Sequence, residues 1–196
     1  QVDPRDDRRR RERAGMKRFA VSAAVVAAMG AALAGWESGG KLILQPYLDP
    51  VGVLTVCDGI TGDDVIVGKT YTEAECTALN QKHAREHAES VVRLCGTATL
   101  DAPLHVQFAV YHLAYNTGAG AVCGNGSKQT TIKRELTLGN YTAVCDAIEQ
   151  RYFRAGGKDC RDRSSNCFGI IRRRQWESAV CRGEVQIDGL TEPARN

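Results

Sequence analysis

No cysteine occurs in the first 56 residues of this 196-residue chain; all eight (Cys57, Cys76, Cys95, Cys123, Cys145, Cys160, Cys167 and Cys181) come later. No Cys-x-x-Cys pair exists either, and most gaps run 15 to 28 residues, which argues against a zinc site. An even cysteine set downstream of an apolar segment predicts an exported, disulfide-bonded domain. Spacing singles out only Cys160 with Cys167 as a pair. A large net charge is also missing: the chain carries +3, with 8 basic against 4 acidic residues in 1–36 and 16 against 16 in 37–181. The segment from Arg151 to Arg182 is locally basic, 9 against 3. Such a lobe attracts polyanions, but no nucleic-acid motif accompanies it, and an anionic cell-wall polymer matches the charge equally well.

Charge is absent altogether from Phe19 to Trp36, a run of 18 residues of which 8 are alanine. Before it, residues 1–15 are almost wholly charged and build no core. Met16-Lys17-Arg18 reads as a natural start, with 1–15 as a non-native extension. Three readings compete for the apolar run. A signal peptide would use Ala32-Leu33-Ala34 as its cleavage site. A stable anchor wants about 20 strongly apolar residues, and alanine partitions weakly. The third reading is a segment that enters the membrane and leaves it again. Cleavage after Ala34 would put Glu37 third from a fraying terminus. Retention is therefore expected, with the N-terminus inside and the rest outside. No cysteine within 1–36 means no thiol switch inside this segment.

From Leu42 to Val67 the chain breaks into short β-type pieces, 42–44, 53–56 and 65–67, punctuated by Gly52, Gly59 and Gly62. Thr72-Glu73-Ala74-Glu75 has the form of a capping box and predicts a helix to about Leu94. Asp101-Ala102-Pro103 opens another, ending at Asn116-Thr117-Gly118-Ala119-Gly120. Shorter helices are expected over 128–137, 141–153 and 169–181, and 182–196 reads as a loose tail. The class is α+β, with a small antiparallel lobe, a mainly helical lobe and a cleft between them.

Two carboxylates from separate short elements with a hydroxyl beside them, Glu37, Asp49 and Thr55, could flank a bond to be hydrolysed. Tyr47-Leu48-Asp49-Pro50-Val51-Gly52-Val53-Leu54-Thr55-Val56-Cys57-Asp58-Gly59 resembles the active-site hairpin of the phage-type lysozymes, glycoside hydrolase family 24. The likeness covers roughly residues 17–181. It continues in Phe108 to Gly120, in Arg154-Ala155-Gly156-Gly157-Lys158 and in Phe168-Gly169-Ile170-Ile171-Arg172-Arg173-Arg174. It implies a lysozyme-like fold and a muramidase that cuts the β-1,4 bond between N-acetylmuramic acid and N-acetylglucosamine in peptidoglycan. It also implies a signal-arrest-release endolysin, held in the inner membrane through residues 19–36 and then freed into the periplasm as a monomer, with no metal or cofactor. In that resemblance Glu37 matches the general acid, Asp49 the carboxylate that orients or activates water, and Thr55 the hydroxyl beside it.

Eleven residues separate Glu37 from Asp49, three more than the family's usual interval, which would end at Pro46. The Ser38-Gly39-Gly40 turn is the expected place for them. A second departure is the 159–166 insertion between Cys160 and Cys167. Asn116 either touches substrate or satisfies the helix end beside Gly118. His83, His87, His105 and His112 read as surface or core residues, and Arg172–Arg174 as a solvated, structurally paired helix face. A lytic transglycosylase would need one acid and no water-positioning carboxylate. A non-catalytic, membrane-tethered wall-binding or lysis-control protein would need neither.

Overall fold

The computed structural model describes residues 20–37, 42–49, 52–125 and 129–190, with no account of the side chains of 34–37. The 1–15 extension, the Ser38-Gly39-Gly40 turn and the Glu37 carboxyl therefore lie outside the described residues.

The first helix, α1 (Ala23–Glu37), is built from the apolar run. Its larger side chains face one way: Val25, Val26, Met29 and Leu33, with Val21 just before the helix, are buried. Ala23, Ala27 and Ala31, spaced four apart, form the exposed stripe. The core face lands on α2 (Glu73–Cys95) and α3 (Leu104–Thr117), where Ala84, Ala88, Val91 and Val92 share one core with Val106 to Ala114. α1 has 15 residues, and among the described residues no helix is long and apolar enough to cross a membrane.

Capping chemistry sets the start of α2: Thr72 Oγ1 accepts from the Glu75 N–H, and Glu75 Oε2 accepts from the Thr72 N–H at 2.8 Å. Burial on all sides marks α3 as the central helix, since Val106 through Ala114 are all buried. It stops at Gly118, whose φ of +85° ends the helical path. The glycine-rich stretch there is a one-residue kink, because α4 (Ala119–Cys123) starts at once. α5 (Thr131–Leu138), α6 (Tyr141–Arg151) and α7 (Gly169–Cys181) complete the helical lobe. Between α6 and α7 a two-stranded ribbon forms, β4 (Arg154–Ala155) with β5 (Lys158–Asp159); the sequence contained no strand signal for it. The expected loose tail is packed in its first part: Val185 and Ile187 lie against the core and Leu190 is buried.

The front lobe is an antiparallel meander in the order β1 (Ile43–Leu48), β2 (Leu54–Cys57), β3 (Ile60–Thr61). Residues 65–67 are no strand, contrary to the expectation of a short β-type piece there. A 3-10 turn at Gly62–Asp64 precedes them, and the Ile66 N–H donates to the Tyr71 hydroxyl at 2.8 Å instead of a neighbouring strand. Val56, Cys57, Ile60, Val65, Tyr71 and Cys76 form this lobe's own small core. Four disulfides close the structure: Cys57–Cys76, Cys95–Cys123, Cys145–Cys181 and the expected Cys160–Cys167.

Candidate active site

One turn of α2 supports both elements that carry the candidate carboxylates. Cys76 ties it to Cys57 at the end of β2, and Asn80 Nδ2 donates to the buried Asp58 Oδ2 at 2.7 Å. α1 crosses the same turn. A methyl group added at Gly30 would stand 3.4 Å from Gln81 Cγ and 3.8 Å from Gln81 N, ordinary contact distances, so it is here that α1 packs on α2. Glu37 lies seven residues further along α1, about 10 Å at the helical rise, and is its last residue.

The hairpin holds Asp49 by three hydrogen bonds. Its N–H donates to Val53 O at 2.9 Å, its carbonyl accepts from the Gly52 N–H at 2.9 Å, and its Oδ1 accepts from the Val53 N–H at 2.8 Å. The side chain is therefore fixed by the turn it initiates, as Asx turns require. Thr55 is 3% exposed and its hydroxyl donates to Val53 O at 3.0 Å. Tyr47 pairs with Thr55 across the ladder. Asp49 follows Tyr47 by two residues, so strand alternation puts Asp49 and Thr55 on one face as diagonal neighbours, roughly 7–8 Å apart. Both side chains turn back onto Val53, the Asp49 carboxylate to its N–H and the Thr55 hydroxyl to its carbonyl.

The register also locates extra chain length. Ile43 pairs with Cys57 and Tyr47 with Thr55, so β1 uses four steps where β2 uses two. The bulge contains Pro46, which has no N–H to give to the ladder.

Asn116 is exposed at the end of α3, and its Oδ1 accepts from Arg174 Nη2 at 2.6 Å. Neither expected reading included this partner. Arg172 is exposed, but Arg173 and Arg174 are 8% and 1% exposed, so the arginine run is not a solvated face. Glu177, one turn on, supplies Arg174 with a buried counter-charge at 3.0 Å and also meets His112 Nδ1 at 2.6 Å. Burial pushes the Arg174 guanidinium below its usual range, with the Glu177 carboxylate opposing that shift. This cluster went unread because its members lie 58 and 65 residues apart; the i to i+3 spacing of Arg174 and Glu177 was its only local trace. His83 bonds Asp64 and His87 packs on Tyr115, in keeping with structural roles. Among the described residues no group of three His, Cys, Asp or Glu side chains could hold a metal. A cavity lined by His105, Val180, Val185, Ile187 and Leu190 contains none of the expected site residues.

Residues 37–177 match the family model for phage lysozyme. The chain is 38% identical over 137 residues to the SAR-endolysin of Bacteriophage PS119, covering 70% of this chain and 72% of that protein. It is 37% identical over 136 residues to the SAR-endolysin of Enterobacteria phage P21, covering 69% and 73%. Among solved structures, the active form of P1 phage endolysin Lyz superposes with a TM-score of 0.63 at 22% identity, over 81% of this chain and 85% of that one. A point mutant of P22 lysozyme gives 0.58 at 25% identity, over 78% and 94%. With more than half its length inside the family model, and with α1 and the hairpin set on one turn of α2, the chain belongs to the phage lysozyme family.

Proposed function

We propose that this endolysin is a muramidase that hydrolyses the β-1,4 bond between N-acetylmuramic acid and N-acetylglucosamine. Glu37 is the general acid, Asp49 orients the attacking water and Thr55 assists it. The observation that carries this is the shared support. Cys76 to Gln81 of α2 fixes both the helix ending in Glu37 and the hairpin presenting Asp49 and Thr55. Catalytic groups need such rigid placement. Glu37 ends its helix at the carbonyl end, where the macrodipole disfavours an added anion; a group that must deliver a proton gains from that bias. The Thr55 hydroxyl spends its proton on Val53 O, so its lone pairs are left to accept from water. An inverting attack, with a water between two carboxyls, uses a separation of roughly 6.5–9.5 Å. The bulge in β1 between Ile43 and Tyr47 absorbs two residues without changing the Tyr47–Thr55 pairing, so it is one place where a longer path from Glu37 to Asp49 is taken up.

Residues 19–36 serve first as a membrane tether facing the periplasm and afterwards as α1. The chemistry of the run supports both states. On an insertion scale the phenylalanine, valine and leucine side chains of the run, Phe19, Val21, Val25, Val26 and Leu33, contribute only about 1.5–3 kcal/mol. Burying Val21, Val25, Val26, Met29 and Leu33 in the folded core contributes up to roughly 8–15 kcal/mol. The protein fold therefore outcompetes the bilayer, and the enzyme acts as a released monomer on peptidoglycan. Digestion of purified peptidoglycan by the oxidised protein, beside Glu37→Gln, tests the reading. Reducing N-acetylmuramic acid ends from the wild type alone are expected; anhydro ends would instead mean a transglycosylase, and no products from either protein would remove the catalytic assignment.

A further inference from the structure

Asn116 is exposed, yet its carboxamide has a set orientation. Arg174 Nη2 donates to Asn116 Oδ1 at 2.6 Å; Arg174 Nη1 stands 3.0 Å from Glu177 Oε2, and Glu177 Oε1 is 2.6 Å from His112 Nδ1. Arg174, Glu177 and His112 are each 1% exposed or less. A guanidinium has donors only, so the atom of Asn116 that meets it is the carbonyl oxygen, and the amino group Nδ2 is turned the other way. The Glu177 carboxylate is the buried counter-charge beside the guanidinium, in a geometry where Nη1 and Oε2 close no hydrogen bond, and its other oxygen meets the imidazole.

A structural explanation would need only an acceptor for Arg174. A carboxylate at position 116 would serve that purpose more strongly, through a charge-assisted bond. What an amide adds, and a carboxylate lacks, is the donor it presents to the exterior. We propose that Arg174, Glu177 and His112 are positioning residues that fix the Asn116 Nδ2 amino group as an outward donor to a glycan acyl oxygen, the carbonyl of an N-acetyl group. The proposal rests on the muramidase reading for the identity of its ligand.

Binding of soluble, uncross-linked glycan strands by the full chain tests it, in a Glu37→Gln background that does not consume the ligand. Asn116→Asp keeps the contact with Arg174 and replaces the donor by an acceptor. It should leave the Tm unchanged or higher while weakening Kd about tenfold. Arg174→Lys, which cannot fork to Glu177 and Asn116 together, should weaken binding in the same direction, and adding Asn116→Asp to it should weaken it little further. Equal Kd values for Asn116→Asp and its parent would overturn the proposal and leave Asn116 as a partner for Arg174 alone. Absence of any binding by the parent would overturn it too. Release of reducing ends by the wild type from the same preparation tells separately whether the muramidase reading has failed with it.

Discussion

Helix α1 should behave as a structural part of the enzyme, and single substitutions along it measure this. Leu33 is 2% exposed and Met29 is fully buried, both in the core shared with α2 and α3. Truncating Leu33 to alanine removes buried methyls and leaves a cavity, which costs about 2–5 kcal/mol. For a domain of this size each kcal/mol lowers the Tm by about 2–4 °C, so Leu33→Ala should melt roughly 4–20 °C lower. Activity should fall further than stability explains, because Glu37 lies one helical turn beyond Leu33. Ala27→Ser, on the exposed stripe, should shift stability by no more than about 0.5 kcal/mol. Removing residues 1–36 altogether forfeits up to roughly 8–15 kcal/mol of burial, against a typical domain stability of about 5–15 kcal/mol, so the shortened chain should not fold. Calorimetry and lysis of purified cell walls provide the readouts. A Leu33→Ala variant with wild-type Tm and activity would refute the packing of α1 as a working part of the enzyme.

Three further outcomes follow from other parts of the fold. Opening Cys145–Cys181 by paired alanines should cost more than opening Cys160–Cys167, because their sequence separations are 36 and 7. Chain entropy assigns them about 3.8 and about 2.5 kcal/mol, and urea melts that rank them the other way would contradict this. The Lys69 ammonium, followed by the Thr72 backbone and hydroxyl, holds the Glu75 carboxyl down to about 2, from an ordinary value of 4.5. A depressed carboxyl stabilises the fold fully above its unfolded value and stops doing so as pH falls towards its folded one. Glu75→Gln should therefore flatten the fall in Tm between about pH 5 and 2, and curves that stay parallel to wild type through that window would count against it. Glu177→Ala strands the Arg174 charge in the interior, where it is 1% exposed. The expected loss is about 3–5 kcal/mol, and a loss under about 1 kcal/mol by chemical denaturation would show that water reaches the guanidinium.

Features encoded within a few residues were legible in the sequence. The Thr72 to Glu75 capping box was, because its donors and acceptors sit in one turn. So was Cys160–Cys167, seven residues apart. The Asp49 turn is local in the same way, since Gly52 and Val53 bond its backbone and its carboxylate. The β-branched run at 65–67 misled because burial depends on what lies opposite: Ile66 and Val67 are 56% and 78% exposed beside a turn. The ribbon of β4 and β5 has two residues per strand, too few for a period to show.

Long-range chemistry escaped because residue type constrains it only when the partner is known. An arginine run beside glycine reads as a solvated face until Glu177 and His112 are brought to it. Asn116 reads as a helix end until Arg174 claims its oxygen and thereby fixes which way its amine points. The same holds for Gly30. In the sequence it is one small residue in an alanine-rich run, and in the fold it is where α1 comes against the turn of α2 that also anchors the hairpin. The separation of the carboxylates along the chain is therefore a weak guide to their separation in space. α2 meets both the helix that ends in Glu37 and the strand that follows Asp49, and the bulge in β1 lengthens the chain between them without altering those contacts.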